Sequence, residues 1–264
     1  GAEIEILPSM EGVTDIEKVS KINMDDVACV VIQSPNYYGY IEDWKKYSNL
    51  LKDYKGLLVA SSDPISLSIL ESPGESNADI YVGEGQSLGN YLSYGGPYLG
   101  LFSIKENLKR KLPGRVVGMT TDVNDKDGFV LTLQTREQHI RRSKATSNIC
   151  TNQGLLALRA VIYMSLLGKE GLPSLAKLCF NKAQYAAKLI SQIDGFDLFH
   201  KRTDFVKEFT VKTKFSAFKL HAKSEEKGIL FDYVDENLIK FSFTEKRSKK
   251  DIDDLVEFLT SYNE

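Results

Sequence analysis

The chain has 264 residues, of which 42% are hydrophobic and 27% are charged, an ordinary composition for one large or two modest globular domains. Its net charge of −2 excludes a strong overall attraction for nucleic acid or for an anionic membrane. No apolar run reaches the ~20 residues of a membrane-spanning helix, and residues 1–8 lack the features of a signal peptide. We therefore expect a cytoplasmic protein that binds neither nucleic acid nor membrane.

The cysteines and histidines argue against a disulfide framework and a zinc site. Cys29, Cys150 and Cys179 show no CxxC spacing and are odd in number, so we expect them to be reduced and buried. The three histidines are scattered along the chain, and no metal site is predicted.

The first half of the chain alternates strand-like and helix-like segments. Strands are predicted at residues 2–8, 27–33, 56–61, 78–83 and 98–105. Helices are predicted at residues 15–22 and 43–55. The segment VACVVIQ (27–33) is continuously apolar, as in a strand buried on both faces. This alternation predicts an α/β fold with a mostly parallel sheet.

Ligand sites in such sheets lie at the carboxyl ends of the strands. There the sequence has residues 33–43, 61–64 and the glycine-rich 83–97. Glycine supplies positive φ cheaply, so tight turns are favoured over close approach of a ligand for 83–97. The spacing GEGQSLG is not the dinucleotide-binding fingerprint, and the chain has no P-loop.

The second half of the chain begins with a predicted hairpin turn at residues 126–128. Two helices are predicted at about 150–168 and 172–192, separated by Gly168 and Gly171. The last seventy residues alternate β-α-β-α, as in a small α/β domain.

Positive charge is concentrated in LQTREQHIRRSKATSN (133–148). Its charged or titratable residues are Arg136, Glu137, His139, Arg141, Arg142 and Lys144. Such a run is usually a solvated face. However, arginine outnumbers lysine, which suits bidentate recognition of anions. The hydroxyls of Thr146 and Ser147 precede a helix, where they could either cap it or hold a phosphate.

Several segments closely resemble the P-protein family of the glycine cleavage system. They are GGPYLGLF (95–102), PGRVVGMTTD (113–122), LTLQTREQHIRRSKATSNICTNQ (131–153), SPNYYGYIED (34–43) and LLGKEGLPSLAK (166–177). The resemblance covers most of residues 26–192. It implies an oxidoreductase of glycine catabolism with the pyridoxal-phosphate (PLP)-dependent transferase fold of aspartate aminotransferase, fold type I. Its expected parts are residues 1–149 (the C-terminal part of the large domain), 150–192 (connecting helices) and 193–264 (a small α/β domain).

The lysine that binds PLP in this family is missing from its expected place. That place follows the strand at 78–83, where Ser87 stands instead, and a serine cannot form the Schiff base. The acid expected to hold the pyridine nitrogen also falls about two residues late, at Asp63, which leaves its role open. The chain therefore resembles subunit 1, the degenerate α subunit of the two-subunit form, and no catalytic residue is expected in it.

The resemblance implies that a β subunit binds PLP covalently and that the intact protein is an α2β2 heterotetramer that contacts lipoylated H-protein transiently. Thr146, Ser147 and Asn148 match the position that reaches the partner's PLP phosphate across the interface. Arg136, His139, Arg141 and Arg142 would line that interface or balance a substrate carboxylate.

Two alternatives remain open from the sequence. One is a self-sufficient PLP enzyme that uses Lys105 or Lys144, and the other is a cofactor-free interaction subunit of the same fold. Because the family's α subunit is longer at its N-terminus, we also expect this chain to be an N-terminally truncated fragment that is inactive alone.

Overall fold

The structure is a computed structural model that describes residues 2–112, 114–133, 137–145 and 153–262. Its strands are β1 Ser9–Met10, β2 Val13–Thr14, β3 Cys29–Gln33, β4 Leu57–Ser61, β5 Ile80–Glu84, β6 Gly100–Ile104, β7 Val116–Thr121, β8 Asp127–Thr132, β9 Phe196–Leu198, β10 Glu208–Thr213, β11 Asp232–Asp235 and β12 Leu238–Ser242. Its α-helices are α1 Ile16–Val19, α2 Trp44–Leu51, α3 Gln138–Arg141, α4 Gly154–Ile190, α5 Ala217–Glu226 and α6 Lys249–Ser261. Within the described ranges, no helix is both long and apolar enough to cross a membrane.

The first sheet has the strand order β3-β4-β5-β6. Strands β3, β4 and β5 are parallel, and β6 runs antiparallel to β5. The predicted mostly parallel sheet is therefore confirmed, and the carboxyl ends of β3, β4 and β5 lie at one edge.

Helix α2 packs on one face of this sheet because its apolar stripe matches the helical period. Trp44, Tyr47 and Leu51 are buried with Val30 and Ile32 of β3. The Trp44 indole N–H also donates to the Ile32 carbonyl at 3.0 Å, which fixes the helix on the strand.

The prediction that β3 is buried on both faces is wrong. Val30 and Ile32 are buried, but Val31 is 58% exposed and Cys29 is exposed. Successive side chains of a strand point to opposite faces, and the core takes in only the face that bears Val30 and Ile32. Cys29 is thus a free cysteine that is exposed rather than buried, Cys179 is free and buried, the burial as predicted, and Cys150 lies outside the described residues.

Two other local predictions were displaced. Residues 2–8 form no strand, and backbone pairing begins instead in the short hairpin of β1 and β2. The hairpin of β7 and β8 is present, but it turns at residues 122–126 rather than 126–128. The Asp122 carboxylate accepts the backbone N–H groups of Asn124 and Lys126, so an aspartate sets the turn and Gly128 lies within a strand.

The two predicted long helices form one element, α4, with a break at Gly168. Gly168 has φ +62° and ψ −167°, which confirms the predicted separation.

The second sheet is antiparallel, with the strand order β11-β12-β10-β9. It contains two short strands, β9 and β11, that the predicted β-α-β-α order did not include. The end of α4 joins α5 and α6 in its core. Tyr40, from the loop after β3, pairs with Phe205 just before β10 and so ties the two sheets together. The division at 149/150 and 192/193 remains a prediction.

Candidate functional site

A cavity of about 480 Å³ lies at the carboxyl ends of β3, β4 and β5. Its lining residues come from those strand ends, the loops that follow them and the start of β10: Gln33, Pro35, Ser61, Ser62, Asp63, Ser66, Val82, Gly83, Glu84, Gln86, Ser87, Lys207 and Glu208. This edge is where α/β sheets place their ligands, so the cavity is the candidate site.

Asp63 is the carboxylate on which the cavity's polar contacts converge. Its Oδ1 lies 2.8 Å from the Lys207 ammonium and accepts a hydrogen bond from the Ser87 hydroxyl at 3.3 Å. Its Oδ2 accepts from the backbone N–H and the hydroxyl of Ser66, at 2.8 and 2.7 Å. Both oxygens are therefore occupied by donors from the chain itself.

The pKa of Asp63 reflects two opposing effects. Burial alone raises it, but the Lys207 charge and the hydrogen bonds from Lys207 and Ser66 outweigh burial and hold the pKa below its usual value. The side chain is thus ionised at neutral pH.

The backbone beside the cavity is closely packed. The Tyr81 hydroxyl donates to the Ser62 carbonyl at 3.3 Å, and a Cβ at Gly83 would lie only 2.3 Å from the Tyr81 oxygen. Burial, with a smaller contribution from the Asp63 charge, raises the pKa of Tyr81 to about 12. Gly83 is therefore required by packing, whereas Gly89, Gly95 and Gly96 have positive φ, as expected for turns.

Ser87 lies in the cavity, as its position after β5 implied, and neither lysine of the self-sufficient alternative lines it. Lys105 pairs with Asp79 at 2.9 Å and donates to the Asn77 carbonyl. Lys144 is exposed in the 3₁₀ turn that follows α3.

The lysine inside the cavity is Lys207, which sequence reasoning missed. Its side chain is 15% exposed. The sequence offered only a weak indication of this role, because Lys207 is a single lysine just before a strand and lies far along the chain from Asp63.

None of the described residues of the cationic stretch lines this cavity. Arg136, Thr146, Ser147 and Asn148 lie outside the described residues. His139, Arg141 and Arg142 are exposed on α3 and the turn after it. His139 lines a second cavity of about 260 Å³, together with Arg115 and the buried Glu137.

The family model described as "Glycine cleavage system P-protein" matches residues 2–259. The chain belongs to the glycine cleavage system P-protein family. It is 49% identical to a protein of Chloroherpeton thalassium named "Probable glycine dehydrogenase (decarboxylating) subunit 1", over 98% of this chain and 60% of that one. A Moorella thermoacetica protein of the same name is 45% identical, over 97% and 59%. This chain thus spans about 60% of the length of these curated relatives.

Solved structures agree with the family and the fold. A crystal structure of glycine decarboxylase (P-protein) of the glycine cleavage system, in inhibitor-bound form, is 36% identical with a TM-score of 0.91, over 98% of this chain and 60% of that one. A C-DES mutant with glycine covalently linked to its PLP cofactor is 11% identical with a TM-score of 0.68, a likeness of fold alone. The fold of this P-protein-family member is that of the PLP-dependent transferases of fold type I, as predicted.

Proposed function

We propose that this chain is part of a non-catalytic subunit of glycine decarboxylase that completes the active site of a second, PLP-bearing subunit. The relatives' name "subunit 1" implies such a partner. The observation that carries the proposal is Ser87, which lies in the strand-end cavity where a Schiff-base lysine would be needed and donates to Asp63 instead.

The residues of this cavity do not fit covalently bound PLP. A serine hydroxyl cannot condense with the cofactor's aldehyde, and the ammonium of Lys207, the one lysine among the described lining residues, is held in an ion pair with Asp63. In the proposed complex the second subunit would hold PLP, which would supply the electron sink for decarboxylation of glycine, and the aminomethyl group would be passed to the lipoyl arm of H-protein. This chain alone is then inactive.

The contribution of this chain is an anion-binding surface at the interface. Thr146, Ser147 and Asn148, which precede α4 in the sequence, would donate to the partner's PLP phosphate. Hydroxyl and backbone donors close to a helix N-terminus suit this task. His139, Arg141 and Arg142 are exposed, so they are accessible to a partner, and with Arg136 they would line the interface or face the substrate carboxylate.

The same proposal includes an α2β2 assembly in the cytoplasm and the three-part division at residues 1–149, 150–192 and 193–264. Lys105 is paired with Asp79, and Lys144 is exposed to solvent. Both observations argue against a self-sufficient PLP enzyme that uses either lysine. A cofactor-free interaction subunit remains the rival, and the following experiment separates the two.

The test is PLP retention by the complex of this subunit with its partner. Thr146→Ala together with Ser147→Ala should weaken retention on the order of 10-fold, because each lost donor to a charged phosphate costs about 1.5–3 kcal/mol and water replaces part of the loss. Ser143→Ala, which removes an exposed hydroxyl from the same stretch of sequence, is the matched control and should leave retention unchanged. Equal PLP retention by the unsubstituted complex, the double variant and the control would contradict the phosphate role. It would favour a cofactor-free interaction subunit.

A further inference from the structure

The charges of the strand-end cavity are unevenly distributed. Among the described residues that line it, Lys207 is the only cation, against the acids Asp63, Glu84 and Glu208. Glu84 is exposed, and its oxygens accept the backbone N–H groups of Gln86 and Leu99. Asp63 is different, because its side chain is only 22% exposed, and a mostly buried carboxylate is stabilised by a positive charge nearby.

Lys207 supplies that charge from the other side of the cavity. It stands just before β10 of the second sheet, whereas Asp63 follows β4 of the first, so their 2.8 Å contact spans the cavity between the two sheets. Ser87 donates to the same Oδ1. A carboxylate at the strand ends of an α/β sheet would otherwise be the natural anchor for a cationic ligand.

We propose that the Lys207 ammonium is a built-in cationic ligand of Asp63, which closes this cavity to external ligands that would bind through that carboxylate. Removing the ammonium would turn the cavity into a binding site for small organic cations. The inference rests on the proposed function only in one respect: a subunit without its own cofactor must neutralise this carboxylate from within. Its test needs neither PLP nor the second subunit.

The experiment measures thermal unfolding of the full chain with and without a small amine. Lys207→Ala should lower the Tm on the order of 5 °C, because it leaves Asp63 as an unpaired, mostly buried charge. Propylammonium chloride, which replaces the lost side chain in shape and charge, should restore much of that loss. Neutral propan-1-ol, and sodium chloride at equal ionic strength, should not.

Lys45→Ala is the control, since Lys45 also pairs with a carboxylate, that of Glu71 at 3.2 Å, but both side chains are about half exposed and neither lines the cavity. Neither this variant nor the unsubstituted chain should respond to propylammonium. The proposal is overturned if propylammonium fails to raise the Tm of Lys207→Ala, or if it raises that of the control equally.

A double variant keeps the test decisive if Lys207→Ala does not fold. Lys207→Met together with Asp63→Asn removes both charges and keeps the side-chain volumes, so its Tm should recover most of what Lys207→Met alone loses and should not respond to propylammonium. A double variant as unstable as the worse single variant would show that Lys207 acts through its packing rather than its charge, and the proposal would fail.

Discussion

At the scale of single residues, Tyr40 connects the two halves of the chain through its hydroxyl group. Its ring is 1% exposed, and its hydroxyl donates to the Phe199 carbonyl of the second half of the chain. Burial raises the pKa of Tyr40 well above its usual value, so the group stays a neutral donor. The Arg202 guanidinium lies over the ring, 4.9 Å from its centre. The Tyr40 hydroxyl therefore adds a side-chain hydrogen bond to the backbone pairing that ties the two sheets together.

Tyr40→Phe should reduce the free energy of unfolding by about 1 kcal/mol, because the partly buried Phe199 carbonyl loses a donor. The measurement is denaturant unfolding. Tyr54→Phe is the control: Tyr54 is 42% exposed, so this variant should change stability by less than about 0.5 kcal/mol. Equal effects of the two substitutions would contradict the assigned hydrogen bond.

Asp63 predicts a specific pH dependence. Its pKa in the folded chain lies below the ordinary 3.8, so ionisation stabilises the fold at neutral pH, and this stabilisation is lost as the pH falls below about 4 through the folded-state pKa. The Tm difference between the unsubstituted chain and Asp63→Asn should therefore be largest near pH 7 and shrink below about pH 4.

The comparison for that experiment is Asp53→Asn, since Asp53 is an exposed aspartate on the same half of the chain. Its Tm difference should be small at every pH. A difference for Asp63→Asn that stays constant from pH 7 to about pH 3 would contradict the assigned electrostatics.

At the scale of elements, the break in α4 was readable from sequence, whereas the burial of β3 was not. Gly168 has a backbone conformation that costs any L-residue energy, so glycine marks the break directly. The apolar run of β3 indicates a buried strand by its composition, but it does not indicate which face of the strand is buried. Which face receives a helix depends on where α2 packs, and that is decided by distant parts of the chain.

Gly168→Ala should cost about 1–3 kcal/mol of stability through backbone strain alone, because no atom lies within 4 Å of the added methyl group. Gly74→Ala is matched, with open space and no positive φ, and should be close to neutral. Urea unfolding of the two variants provides the measurement. An increase in stability for Gly168→Ala would mean that α4 runs straight and that the break is wrongly placed.

For the whole molecule, the sequence predicted the fold, the family and the edge of the sheet that holds the site, but not the site's internal chemistry. Ser87 and Asp63 could be placed because strand ends are local features. Lys207 could not, since its meeting with Asp63 depends on how the second sheet packs on the first. The same holds for His139, whose position beside Arg115 and Glu137 requires the β7–β8 hairpin to be formed.

The proposed division of labour between two subunits also belongs to this scale. The described chain exposes large apolar side chains on the hairpin and on the first half of α4, among them Val117, Met119, Phe129, Leu155 and Leu166. Surfaces of this kind are usually covered by further protein. They support an account in which this chain works as part of a larger assembly.

We propose that this chain shapes an active site without carrying its covalent cofactor. The direct measurement is to incubate the complex with PLP, reduce it with borohydride and map the modified peptides, with the second subunit as internal positive control. We predict a stoichiometric label on one lysine of the second subunit and none in this chain. A stoichiometric label on Lys207, Lys105 or Lys144 would contradict the account and make this chain a PLP enzyme in its own right.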